Sequence, residues 1–377
     1  MMQRNKENGQ AVPELRYLDA AERAKSRELW EEAFPEDSKV FGDYYFTEKV
    51  KDNRVLVLEE NDRIDAMIQL NPYRLQVKNQ QWQIDYLVGV ATRKDRRHRG
   101  YMRRLLAKMM VDMRAEGMPF CFLMPVDEAI YRPFGFTFIY DQPRFEWREE
   151  KPVEWRTVSV IAEHHLEQAA DWMNRWFANR YQVYAVRDRD YLERLIKEIA
   201  SEYGTLNLIF DDDRLIGAES FWGLEKKVQR LLYAEDPYIK EVKAPKPAIM
   251  ARIIDVERFM AVISLSAKVM DEQKTLILQI EDPLIPENQG IWRWTLNHET
   301  SWLEKIEVLA AESEDDQEGQ LLLKASELAE EPGIIPDLTL TITELTTWLF
   351  GYDIPEEAEA FSDVIQPLQG VFLDEVV

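Results

Sequence analysis

A strand, a basic loop, a helix and a second strand follow one another between residues 82 and 124, and few folds accommodate that order. Met102, Leu105, Leu106, Met109, Met110 and Met113 recur in steps of three and four, which puts one apolar helix face on a sheet. Arg103, Arg104, Lys108, Asp112 and Arg114 take the opposite face. Gly117 stops the helix and Pro119 prevents its return. The run Phe120-Cys121-Phe122-Leu123-Met124 is apolar throughout, as a central strand buried on both faces requires.

The loop Arg96-Arg97-His98-Arg99-Gly100-Tyr101 leads into this helix. A helix start has unpaired N–H groups and a partial positive charge, so it is a ready anion site. Gly100 lets a ligand approach the backbone closely. Arg96, Arg97, Arg99 and Arg103 add cationic reach, and His98 contributes its backbone. In the preceding strand, Gly89 stands between Val88 and Val90 and predicts a bulge or a close backbone approach. A pantetheine arm can pair with that strand while its pyrophosphate rests on the loop, which is the geometry of a coenzyme A site. Without the strand and Gly100, the arginines would read as a solvated face.

Around this unit the chain reads as a loose tail over 1–13, a first domain over 14–150, a second over 151–284 and a third over 285–377. The first opens with helices over 19–34 and 38–51. Strands over 55–58, 64–70, 73–78 and 82–92 then form an antiparallel meander, turning at Asn61-Asp62 and Asn79-Gln80. The linker Glu149-Glu150-Lys151-Pro152 marks the first boundary. The second domain repeats the element order, with a strand near Val158, helices over 164–180 and 190–202, and strands over 206–210 and 215–221. Pro283, Pro286 and Asn288 mark the second boundary. The last region holds a charged loop over 312–318, a strand over 338–342 and a helix over 343–350.

Composition removes several classes of function. A net charge of -23 repels phosphate backbones, so nucleic acid is not an expected partner. The same charge concentrates cationic ligands, or serves solubility alone. Cys121 is the single cysteine, so no internal disulfide is possible, and it reads as a buried strand thiol. The four histidines have no ligand at metal spacing, and no HExxH or CxxC occurs; no metal is expected. GxSxG and GxxxxGK[ST] are absent too, which sets aside serine hydrolase and P-loop chemistry. The polar start over 1–10 lacks the apolar core of a signal peptide. No run approaches the roughly 18 apolar residues of a membrane span, so a cytoplasmic location is expected.

Val90-Ala91-Thr92, followed after four residues by Arg97-His98-Arg99-Gly100-Tyr101-Met102, resembles the acyl-CoA signature Gln/Arg-x-x-Gly-x-Gly/Ala of GNAT (GCN5-related) N-acetyltransferases. Met102 departs from it, being larger than the usual Gly or Ala. Ile130-Tyr131-Arg132-Pro133-Phe134-Gly135-Phe136 resembles the Tyr-x-x-Phe-Gly-Phe/Tyr segment of the enhanced intracellular survival (Eis) acetyltransferases. Ala251-Arg252-Ile253-Ile254-Asp255-Val256 is similar to the middle region of that family, and Trp348-Leu349-Phe350-Gly351-Tyr352 to its sterol-carrier-like end. The resemblance implies an α/β (α+β) fold: two GNAT-like mixed-sheet domains, the second without the CoA signature, then a sterol-carrier-protein-like domain. It implies acetyl-CoA as co-substrate, held by Val88, Gly89, Val90, Arg96, Arg97, His98, Arg99, Gly100, Tyr101, Met102 and Arg103. It also implies a hexamer and a small amine acceptor: an aminoglycoside, a polyamine or a lysine-type amine.

Transfer to an amine needs a proton donor for the departing thiolate. A tyrosine, with a pKa of about 10, holds its proton at neutral pH and can donate it. Tyr131 is the candidate; its other reading is a ring packed on the sheet beside Phe134 and Phe136. For the base, the resemblance implies the α-carboxylate of Val377, with Asp85 on the strand before the loop, or water, as alternatives. A competing function is a lipid- or acyl-CoA-binding sensor that uses the last domain without catalysis. Trp292, Trp294 and Trp302 either line a lipid cavity there or pack a small core.

Overall fold

The computed structural model describes residues 13–148, 155–159, 163–242, 247–306 and 334–375. Most of the N-terminal tail, the linker at 149–152, the charged loop at 312–318 and Val377 lie outside the described residues. The chain begins with β1 (Glu14–Tyr17). The helix expected over 19–34 opens as a single 3-10 turn, Arg23–Ser26, and becomes α1 (Arg27–Ala33). Glu22 gives its carboxylate to Arg16 at 2.6 Å and Lys25 at 2.8 Å, and accepts from the Asp19 N–H at 3.4 Å. Ser38 accepts from the Phe41 N–H at 3.0 Å and so caps α2 (Lys39–Tyr44), which continues as a π-helical turn, Tyr45–Lys49.

The meander follows as β2 (Arg54–Glu60), β3 (Arg63–Val77) and β4 (Gln80–Thr92). Asn61 and Asp62 both take positive φ, 52° and 61°, as a tight hairpin turn between twisted strands demands. The two strands expected over 64–70 and 73–78 are one continuous strand, β3, running through Pro72. β2 pairs along one edge of β3 as far as Leu70, and the next strand on that edge begins at Leu75. Pro72 falls in the gap, where its missing N–H costs the ladder nothing.

Next come α3 (Tyr101–Ala115), β5 (Phe120–Leu123), β6 (Thr137–Asp141) and β7 (Arg144–Trp147). α3 buries Leu105, Leu106, Met109, Met110 and Met113, each worth about 1.5–3 kcal/mol. Tyr101 completes the buried face and Met102 is half-buried, one step from the face read in the sequence. β5 is buried at every residue, as its composition required.

The second unit contains β8 (Trp155–Ser159), α4 (Glu163–Ala178), β9 (Val183–Ala185), α5 (Arg189–Ser201), β10 (Thr205–Asp211), β11 (Arg214–Trp222), β12 (Val228–Ala234), β13 (Ile239–Val242) and β14 (Pro247–Ile253). The third contains α6 (Val256–Met260), β15 (Ser264–Leu265), β16 (Gln273–Glu281), β17 (Gly290–Asn297), β18 (Ser301–Ile306), β19 (Leu338–Thr341), α7 (Ile342–Leu349), β20 (Ile365–Gln366) and β21 (Val371–Phe372). No helix among the described residues is long and apolar enough to cross a membrane.

Strand pairing does not respect the boundaries read from the linkers. The first sheet has nine strands in the order β1-β2-β3-β4-β5-β14-β6, with β9 on the far end of β3 and β21 on β9. β14 is thus supplied from beyond residue 246, and β7 pairs in return with β13. The third unit already begins its own sheet at β16, ahead of residue 285. Proline spacing marks loops, but hydrogen bonding between strands 130 residues apart leaves no local trace. Two apolar cores lie on opposite faces of the first sheet: one under α3, the other joining α1, α2, the second unit and the third. Trp292 and Trp294 are core, whereas Trp302 is 40% exposed.

Candidate active site

The site grows from the place where β4 and β5 part. These parallel strands meet at Tyr86 and Phe122, whose rings stack at 4.9 Å. β5 ends one residue later at Leu123, but β4 runs on to Thr92, so Val88, Gly89 and Val90 extend past the end of β5. Gly89 has φ +56°, and the register of β3 against β4 shifts beside it, between Met67 and Gln69. A Cβ here would lie 2.7 Å from the Trp30 ring, so both the bend and the close packing require glycine.

The loop after β4 is anchored at its base and free at its tip. Arg93 is buried and bonds Glu28 and Glu32, each at 2.7 Å, and the Ile64 carbonyl. Arg96 pairs with Glu60 at 2.8 Å and Asp65 at 3.2 Å. Expected among the ligand-binding cations, Arg96 instead fastens the loop to β2 and β3. Its partners stand more than 30 residues away in the sequence, where spacing does not reveal them. Arg97, His98 and Arg99 are exposed, His98 in the left-handed region at φ +62°.

Gly100 caps α3 at φ +75°, with no atom within 4 Å of where a Cβ would be. The first N–H groups of α3, at Tyr101, Met102 and Arg103, have no partner one turn back within the helix, as at any helix start. Arg103 lies 5.4 Å over the ring of Phe134, a contact between helix start and tyrosine turn that the sequence did not announce.

Tyr131 sits in that turn, between two single 3-10 turns that end at Ile130 and Phe134. It is buried against the α3 face, edge-on to Phe136 at 6.1 Å. Burial pushes its phenol up to about 12. Ring packing and a proton-holding hydroxyl thus coexist at one residue.

Asp85 lies elsewhere. Alternation along β4 sends its side chain to the α3 face, and it binds Arg54 at 2.6 Å, which also pairs with Glu116 past the end of α3. Desolvation pushes its carboxyl up and Arg54 pulls it back. A carboxylate held this way belongs to the packing of α3 on the sheet.

The opposite face of the sheet carries a cleft of about 210 Å³ whose lining includes Lys49, Tyr73, Asp190, Glu198, Arg230 and Glu375. Lys49 donates to the Tyr73 hydroxyl at 2.6 Å, and burial lowers its pKa. The Tyr73 ring of its lining lies 6.1 Å from the ring of Tyr86, where β4 and β5 meet.

The tail of the chain is built into this cleft. β21 pairs in parallel with β9, and Asp374 and Glu375 beyond it are buried. Arg187, 1% exposed, binds Asp374 at 2.7 Å and Glu375 at 3.3 Å. Tyr233 donates to Asp374 and Tyr191 to Glu375. The sequence shows an alternating acidic tail but not these partners, which lie about 140 to 190 residues upstream. Val377, two residues past Glu375, lies outside the described residues. Among the described residues no group of three or more metal-ligating side chains is found.

A strand outrunning its neighbour leads into a glycine-capped helix start that touches the turn carrying the buried phenol, and these are parts an acyl-CoA-dependent transferase needs. In agreement, residues 14–139 match the model of the GNAT acetyltransferase domain, and residues 256–369 that of a sterol carrier protein domain. The chain thus carries a GNAT acetyltransferase domain ahead of a sterol-carrier-like one. Its whole-chain fold is that of Eis1 from Mycobacterium abscessus, with TM-score 0.65 and 11% identity over 96% of this chain and 99% of that one. A probable N-acyltransferase from Enterococcus faecalis gives 0.71 and 13%, over 96% and 100%. A GCN5-related N-acetyltransferase from Anabaena variabilis gives 0.68 and 13%, over 94% of each chain. No curated protein matches the sequence.

Proposed function

We propose that the protein acetylates a cationic amine bound in the cleft beside Glu375, with acetyl-CoA held at the start of α3. The observation that carries this is the open backbone at Gly100, where a Cβ would meet no atom within 4 Å. The N–H groups of Tyr101, Met102 and Arg103, with Arg97 and Arg99, would hold the pyrophosphate, and the β4 edge at Val88 to Val90 the pantetheine arm. The co-substrate supplies an acetyl thioester, whose thiolate must be protonated on leaving. Tyr131 holds its proton throughout the physiological range, as a donor must, because burial keeps its phenol neutral.

The acceptor amine must lose a proton. The buried Asp374 and Glu375 place the last described residues of the chain against the cleft, which supports the Val377 carboxylate as the group that orients or deprotonates the amine. The engagement of Asp85 by Arg54 at 2.6 Å weighs against it. The net charge of -23 supports a cationic acceptor: a polyamine, an aminoglycoside or a lysine-type amine. The resemblance to the Eis family supports a homo-hexamer.

Tyr131→Phe keeps the ring and removes the donor. Its turnover should fall about 10²–10⁴-fold with acetyl-CoA affinity unchanged. Residues added after Val377 should lower turnover strongly, while Val377→Ala should be mild. Acetylation rates in folded, acetyl-CoA-binding variants decide. Near-normal turnover in Tyr131→Phe removes the proton donor, and a fully active extended chain removes the carboxylate.

A further inference from the structure

Residues 251–256 take no part in the chemistry above, yet three parts of the molecule meet on them. Arg252 lies on β14, opposite Cys121 of β5, and its side chain is fully buried. Its Nε donates to the Phe134 carbonyl at 2.8 Å, and its Nη1 to the Ile253 carbonyl at 2.8 Å. Its Nη2 donates to Asp282 at 2.6 Å. Asp282 follows β16 of the third unit, is fully buried, and is itself held by the N–H groups of Leu284 and Ile285 and by the Asn288 amide.

The Phe134 carbonyl is one step from Tyr131. The Phe134 N–H donates to the Tyr131 carbonyl at 2.9 Å, closing the turn that presents the phenol. Gly135, next in the chain, has φ +77°, and a Cβ there would lie 3.1 Å from both Arg252 Nε and Ile342 Cγ2 of α7. The turn is thus gripped between a guanidinium and a helix of the third unit. A planar fork with its acceptors at fixed angles sets orientation as well as contact.

We infer that Arg252, anchored on Asp282, is a positioning residue that sets the placement of Tyr131, so that the sterol-carrier unit governs proton transfer in the first domain. The inference rests on Tyr131 being the proton donor. A misplacement of about 1 Å can lower a rate by roughly 10²-fold, so loss of one directional hydrogen bond at this turn is measurable.

The test is a double-mutant cycle on the full chain, reading kcat for acetylation and, separately, acetyl-CoA affinity by calorimetry. Arg252→Lys keeps a charge for Asp282 and removes the Nε donor. It should lower kcat by up to about 10²-fold at unchanged acetyl-CoA affinity. In the Tyr131→Phe background the same change should lower kcat no further. Equal losses in both backgrounds would overturn the positioning role while leaving the proton donor standing. Near-normal turnover in Tyr131→Phe alone would overturn both. If Arg252→Lys does not fold, Arg252→Met combined with Asp282→Asn leaves no uncompensated charge and enters the same cycle with the same outcomes.

Discussion

Two four-stranded meanders in this chain are built in the same order and end differently. In the first, β1 is followed by α1 and α2, then by β2, β3 and β4 in antiparallel succession. In the second, β8 is followed by α4 and α5, with β9 between them leaving to join the first sheet, then by β10, β11 and β12. After its fourth strand the first meander passes through the arginine loop into the 15-residue helix α3. After its fourth strand the second passes through Glu235-Asp236-Pro237-Tyr238 directly into β13. Glu235 bonds Arg214 at 2.7 Å, and Asp236 pairs with Arg180, so the turn offers carboxylates already engaged and no helix start. What distinguishes the first meander is the helix start beyond its fourth strand, where the proposed anion site lies.

Variants at the first junction should erase the distinction between the meanders most severely. Gly100→Asp puts a carboxylate against the helix start in a backbone conformation that L side chains rarely adopt. It should weaken acetyl-CoA binding by more than about 10²-fold, read by calorimetry, with the fold intact by circular dichroism. Retained affinity would move the site away from α3. A smaller effect separates the roles of the arginines. Arg97→Gln with Arg99→Gln should weaken acetyl-CoA about tenfold, as expected for losing charge-assisted bonds to an anion. Arg96→Gln should leave affinity unchanged and lower the melting temperature, because Arg96 is engaged by Glu60 and Asp65. Equal losses of affinity in the two variants would contradict that division.

The sequence made some of this plain and hid the rest for identifiable reasons. The strand, loop and helix were legible because helical periodicity, Gly89, Gly100 and Gly117 act within a few residues of one another. The same holds for the all-apolar β5. By contrast, Arg96 carries the right charge in the right loop, and only its distant partners give it a structural duty. β3 reads as two strands in the sequence, over 64–70 and 73–78, and only the gap between its partners on one edge lets it run through Pro72. The insertion of β14 between β5 and β6, and the burial of Asp374 and Glu375 by Arg187, Tyr191 and Tyr233, depend on pairings between units. Local pattern carries no record of such contacts. Resemblance to the Eis family supplied the order of the three units, but not the exchange of strands between them.

The stoichiometry of acetyl-CoA binding is the sharpest test of the contrast between the two meanders. Calorimetric titration of the full chain should give a stoichiometry near one per chain, falling to no measurable binding in Gly100→Asp. A stoichiometry near two, or a site that survives in Gly100→Asp, would mean that binding does not require a helix start after the fourth strand, contrary to the assignment made from Gly100 and α3.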